Sequence, residues 1–201
     1  MVYGDIVCDR LILKSLRESD CNENYLSWLN DTEVNRFLET RWYLQTIKSI
    51  KVFVNDINQS DHSYLFGIFY KESGSKSSVH IGNIKIGPID KFYSYADISY
   101  FVGDRNYWGM GIATDATKAI LKFGFEVIGL HRIQAGVFAS NIGSIRVLEK
   151  IGFVLEGNFR QQLYTKDSCD DHLFYGILRA EWLEKNQQSY TCREELYYAK
   201  R

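Results

Sequence analysis

The order of the segments predicts an α/β (α+β) fold, a mixed, mostly antiparallel sheet of about six or seven strands flanked by helices. Two observations lead there. Short runs of alternating apolar and polar residues recur between turn-rich segments such as ESGSKSS, GPIDKFYS and TKDSCDD, and such short connections suit antiparallel pairing. Between them lie stretches whose apolar residues fall at spacings of three and four, the signature of amphipathic helices.

The first strand is expected over 10–15, where Leu11 and Leu13 alternate with polar neighbours. Asp20 then reads as the cap of a helix carrying Tyr25, Leu26 and Leu29, and a second short helix follows Asp31. Thr46 opens a helix with Ile47, Ile50, Val54 and Ile57 on one stripe, ending near Ser60. Three strands come next, over 64–70, 79–86 and 95–102. From Gly111 the helical period returns through Ala113, Ala116, Thr117, Ile120, Leu121 and Phe125, with Gly129 as its stop. A strand over 131–138, a helix over 141–150 closed by Gly152, and strands over 153–164 and 172–178 complete the domain. Residues 1–182 therefore read as one domain, and 183–201, lacking a period, as a C-terminal extension.

Composition narrows the function. With 45% hydrophobic and 15% aromatic residues the chain can bury a core, so a disordered tail is excluded. Lys plus Arg total 24 against 25 acids, a formal charge of −1, which removes the general electrostatic attraction of a nucleic-acid binder. The start of the chain carries acids and an Arg where a signal peptide has an apolar core, and no run approaches a membrane span, so a cytoplasmic protein without a membrane partner is expected. Cys8, Cys21, Cys169 and Cys192 form no CxxC pair and read as reduced thiols. His62, His80, His131 and His172 show no ligand spacing, so no metal is implied.

The segment NYWGMGIATDAT carries the chemistry. Gly109 and Gly111 lie between a strand and a helix opening near Ile112. Glycine permits positive φ and close approach to backbone N–H groups, and a helix start offers unpaired donors and the positive end of its dipole, together an anion site. A plain tight turn has the same pattern. The dinucleotide fingerprint needs a third glycine where Thr114 stands, and the phosphate-loop motif GK[ST] is nowhere in the chain.

Together with CDRLILKSLRESD, YWGMGIATDA, NIGSIRVLEKIGF, EGNFR and HLFYGILRAEW, this segment resembles the GNAT superfamily of acetyl-CoA-dependent N-acetyltransferases, in particular its ribosomal-protein N-terminal acetyltransferase branch. The resemblance spans roughly residues 8–182. It implies a GNAT-like acyl-CoA N-acyltransferase fold with acetyl-CoA as co-substrate. The backbone of Trp108, Gly109, Met110, Gly111, Ile112 and Ala113 would bind its pyrophosphate. The strand from Asp97 through Tyr100, Phe101 and Val102 would run beside the pantetheine arm, wedged between splayed strands. One departure is visible: Asn106 stands where the superfamily often has Gln or Arg, with Arg105 one place earlier.

The same resemblance gives Asn141 a cofactor contact and Ser144 a place near the thioester as proton donor to the departing thiolate. By spacing alone, Asn141 is an ordinary helix cap. Asp97, in ADISYFVG, and Glu39, in NRFLETRW, are the candidate general bases, each equally readable as a solvated carboxylate. Arg36, Arg41 and Trp42 would grip an acidic or sugar-bearing acceptor, and Tyr164 would lie on the acceptor side. The expected reaction is direct attack of a primary amine on acetyl-CoA in a ternary complex. The amine belongs to a small molecule, with an amino sugar favoured, or to a protein N-terminus, and a homodimer is compatible with this reading. A non-catalytic acyl-CoA-binding module and a nucleotide-binding regulator are the alternatives.

Overall fold

The computed structural model describes residues 1–72, 77–166, 168–187 and 197–198. Its strands are β1 (Ile6–Val7), β2 (Leu11–Ser15), β3 (Tyr64–Lys71), β4 (Ser78–Asp90), β5 (Tyr95–Val102), β6 (Arg132–Phe138), β7 (Val154–Tyr164), β8 (Cys169–Leu178) and β9 (Tyr197–Tyr198). They form one sheet in the order β7-β8-β6-β5-β4-β3-β2-β1-β9. The count exceeds the sequence expectation because β1 and β9 are two residues each, too short to show alternation. The helices are α1 (Glu23–Asn30), α2 (Thr32–Asn35), α3 (Ile47–Gln59), α4 (Ile112–Lys122), α5 (Ile142–Ile151) and α6 (Arg179–Gln187).

Among the helices, three local expectations differ from the structure. The cap of α1 is Asn22, whose side chain accepts the Tyr25 N–H, while Asp20 closes a short 3-10 turn before it by accepting the Arg17 N–H at 2.7 Å. Residues Phe123–Ile128 continue α4 as a π turn before left-handed Gly129. Helix α6 runs across residue 183, where the sequence reading begins its extension, with Trp182 buried and Leu183 packed against the core. Residue 192, the fourth cysteine, lies outside the described residues, and Cys8, Cys21 and Cys169 are free thiols.

Helices cover both faces of the sheet. On one face Ile84, Ile86, Ala96, Ile98 and Ile133 pack with Ile112, Ala116, Ile120 and Leu148 of α4 and α5. On the other, Leu16 and Leu65 pack with Tyr25, Trp28, Leu29, Ile50 and Val54 of α1 and α3. Burying each of these large side chains stabilises the fold by about 1.5 to 3 kcal/mol.

All neighbouring strands pair antiparallel except β5 and β6. These two are parallel, joined through α4, and paired only from Tyr95–Asp97 to Arg132–Gln134. Both strands run on, β5 to Val102 and β6 to Phe138, without pairing to each other. The sheet is therefore split along its middle, with the apex of the split at Asp97 and Gln134.

Candidate active site

The glycine turn stands at the open end of the split. Asp104 caps a short 3-10 turn over Arg105–Tyr107 by accepting the Asn106 N–H at 3.0 Å. Trp108 then donates its indole N–H to the Val102 carbonyl at 2.8 Å, tying the loop to the end of β5. Gly109 and Gly111 take φ of +73° and +76°, left-handed backbone that costs an L-residue roughly 1 to 2 kcal/mol. Gly111 is the N-cap of α4 and has no side chain to satisfy the first-turn donors. Those N–H groups, with the positive end of the helix dipole, are left for an anion.

Arg10, just before β2, is the residue here that sequence reasoning missed. Its Nε donates to Asp115 Oδ2 at 2.7 Å and its Nη2 to the Met110 carbonyl at 2.7 Å. Asp115 is an acid in the first turn of α4, where it would repel a bound phosphate, and the guanidinium neutralises it. Nothing in the spacing of RLILKS announces a partner 105 residues away.

A cleft of about 1020 Å³ runs from this turn into the split. Trp108, Gly109, Gly111, Ile112 and Ala113 line it, as do Ile98 to Val102 of β5, Ala135 to Phe138 of β6, and Asn141 and Ser144 at the start of α5. Met110 does not, because its carbonyl is held by Arg10 and its side chain is exposed. Along 98–102, no described strand pairs with β5 on the side of the split, so main-chain N–H and C=O groups face the cleft as at any open sheet edge.

Asn141 caps α5, its Oδ1 accepting the Ser144 N–H at 3.2 Å. Tyr100 lies close to the Ser144 side chain. Burial pushes the Tyr100 phenol up to about 12 against the contrary pull of the Ser144 hydroxyl. Its Oη is buried and has no hydrogen-bond partner of good geometry. A buried hydroxyl left unpaired costs stability, and such atoms are uncommon away from functional sites.

The far end of the cleft is formed by side chains from the connection between α1 and α3 and from the β7–β8 hairpin. Glu33, Arg36, Phe37 and Glu39 line it on one side and His172 on the other. Glu39 is exposed and accepts a hydrogen bond from Arg41 at 3.2 Å. His172 lies over Gly136, where an added Cβ would meet its Nε2 at 2.3 Å. Burial pushes its pKa down, while the Glu39 carboxylate raises it.

The structure does not bring every expected residue to this cleft. Asp97 sits at the apex and outside the lining, its carboxylate accepting a hydrogen bond from Gln134 at 3.1 Å. Arg41 is largely covered and engaged, donating to the Leu38 carbonyl at 2.7 Å and the Tyr164 carbonyl at 2.9 Å, with its guanidinium over the rings of Trp42 and Phe138. It fastens the hairpin to the α1–α3 connection and is not free for an acceptor. Trp42 and Tyr164 are outside the lining, and Arg105 faces Asp31 at 3.8 Å. Alternation along a strand cannot show which carboxylate a neighbouring amide will occupy.

Among the described residues no cluster of His, Cys, Asp and Glu could hold a metal ion. No described helix is long and apolar enough to cross a membrane.

A split between two parallel strands, with a glycine turn and a helix start at its mouth, makes a cleft that joins unpaired helix-start N–H donors to an open main-chain edge. The acetyltransferase (GNAT) domain model matches residues 10–154, and the chain belongs to this family, as an acetyl-CoA-dependent N-acetyltransferase. It is similar to the uncharacterized N-acetyltransferase YnaD of Bacillus subtilis, 29% identical over 88% of this chain and 98% of the relative. It is also similar to YdaF of the same organism, which bears the name of a ribosomal N-acetyltransferase, 32% identical over 50% of this chain and 55% of the relative. Among solved structures, the spermidine N-acetyltransferase of Vibrio cholerae in complex with CoA and spermine matches with a TM-score of 0.77, at 18% identity over 87% of this chain and 98% of the other.

Proposed function

We propose that the cleft binds acetyl-CoA with its diphosphate on the N–H groups of the turn at Gly109–Ala113, its pantetheine arm along Tyr100–Val102 and its thioester beside Ser144. The observation that carries this reading is the split itself. It leaves an unpaired main-chain edge leading from the glycine turn to the buried Tyr100 hydroxyl and the half-buried Ser144. The amine enters from the α1–α3 side and attacks the thioester directly. Ser144, beside the Tyr100 phenol, supplies the proton to the departing thiolate, and Glu39 takes the proton of the amine through water.

The acceptor is a small cationic amine. Glu33 and Glu39 line the far end beside Arg36, whose guanidinium lies over the Phe37 ring, and two carboxylates against one cation there favour a protonated polyamine or amino compound over an anionic one. The grip on an acidic or sugar-bearing acceptor loses support because Arg41 is committed to main-chain carbonyls. The spermine-bound Vibrio cholerae relative agrees with this choice.

Calorimetry with CoA, followed by a thiol-release assay over spermidine, amino sugars, amino-sugar nucleotides and N-terminal peptides, tests the reading. Heat of binding with release on the polyamines is expected. Release on peptides alone would move the acceptor to protein N-termini. Binding of CoA with no release on any amine would make the chain an acyl-CoA-binding module.

A further inference from the structure

One side chain in the cleft has no part in the chemistry above. Lys85 of β4 stands opposite Ser99 on β5, two positions from Asp97 at the apex of the split. It is half-buried and lines the cleft. Three other lysines of the sheet and its turns are occupied: Lys14 donates to Ser78 Oγ, Lys71 to the Cys8 carbonyl and Lys91 to Asp61. The Lys85 ammonium has no hydrogen-bond or ion-pair partner among the described residues. Burial pushes its pKa down, with the Asp97 carboxylate opposing, because a low-dielectric wall disfavours the charged form. A neutral amine is the nucleophilic form, and here it lines the space that the acetyl group would enter.

We infer that Lys85 is an internal acetyl acceptor, taking the acetyl group on Nζ when acetyl-CoA fills the cleft and no amine substrate is present. The inference rests on the cleft being the acetyl-CoA site. Nζ attacks the thioester carbon, a C–N bond forms as the C–S bond breaks, and CoA leaves as the thiolate. The proton shed by nitrogen passes through water to the sulfur, so the products are Nε-acetyl-lysine and free CoA thiol. The modified side chain is longer and uncharged, and occupies space on the acceptor side of the split. Acetylation therefore slows turnover of external amines.

The test incubates the full chain with acetyl-CoA alone and follows Lys85, Lys48 and Lys118 by peptide mass mapping, with and without excess CoA. Lys48 and Lys118 are exposed and report uncatalysed acetylation. Held in the cleft that takes acetyl-CoA, Lys85 should be acetylated about tenfold faster than either, since a fixed neighbour reacts as if highly concentrated. Excess CoA should suppress that difference, and Lys85→Arg should lose the accompanying thiol release. Equal labelling of the three lysines overturns the inference, as does Lys85 labelling that excess CoA leaves unchanged. An unlabelled Lys85 in a chain shown by calorimetry to bind acetyl-CoA overturns it while leaving the proposed function standing. Absence of binding overturns both. The mapping is made on the unaltered chain, so it holds whether or not the variant folds.

Discussion

At the glycine-turn end of the cleft the groups on offer are main-chain: the N–H donors of a helix start, the open edge of β5, and two residues held at positive φ. At the far end they are side chains, brought by the α1–α3 connection and by β8, with Glu39 and His172 facing each other across the opening. A main-chain site is insensitive to most substitutions and presents the same donors whatever the neighbouring sequence, which suits a ligand of fixed chemistry. A side-chain site changes its charge and shape with single replacements and suits a variable acceptor. One cleft thus joins a rigid half to an adaptable one.

The boundary between the halves is where the largest effect is expected. Ser144→Ala should lower kcat by about a hundredfold, the lower range for a lost proton donor, with little change in the KM for acetyl-CoA. Steady-state kinetics with a polyamine reads it, and unchanged kcat would take Ser144 out of the reaction. Within the main-chain half, Gly111→Val strains the turn and brings a side chain towards Arg10 Nη2, which lies 3.2 Å from an added Cβ. Its CoA dissociation constant should rise about tenfold by calorimetry, the 1 to 2 kcal/mol of a forced left-handed residue. Arg10→Ala should weaken CoA less, by a few fold, since it only leaves Asp115 uncompensated near the diphosphate. In the side-chain half, Glu39→Gln should change the amine KM and kcat while leaving CoA affinity as it was. If it altered CoA binding instead, the two halves would not be separable.

The smallest effect concerns the fold under the cleft. His80 is half-buried and bonded to Asn83 and the Gly82 carbonyl, and burial pushes its pKa below the ordinary 6.5. The unfolded chain then binds more protons than the native one as pH falls through 6.5, so stability present above that pH is lost below it. Thermal midpoints measured from about pH 7.5 down to about pH 5 should fall, and His80→Gln should flatten the acid limb. A slope identical in the variant would assign the loss to other groups.

Several pieces of this were legible in the residues. The stripe of Ile50 and Val54, the alternation of Leu11 and Leu13, and the pair Gly109 and Gly111 each encode a local period or a backbone conformation, and the helices, strands and turn appeared where those patterns lie. The extent of β4 was not legible: it runs on to Asp90 through Gly87 and Pro88, which read as a turn. Nor was the cap of α1, because Asp20 and Asn22 are equally good capping residues and the preceding 3-10 turn takes the first.

The chain by itself settled periodicity, turn chemistry and the position of a glycine turn before a helix start, since these depend on residues close in sequence and on backbone sterics. Only the tertiary structure decided that β5 and β6 part after Asp97, that Arg10 quiets Asp115, that Arg41 is spent on two carbonyls, and that Lys85 and His172 line the cleft. Those are pairings between distant segments. A charged or polar side chain carries the same local signature whether it ends in solvent, on a carbonyl or in a cleft, and only the packing of the sheet chooses among them.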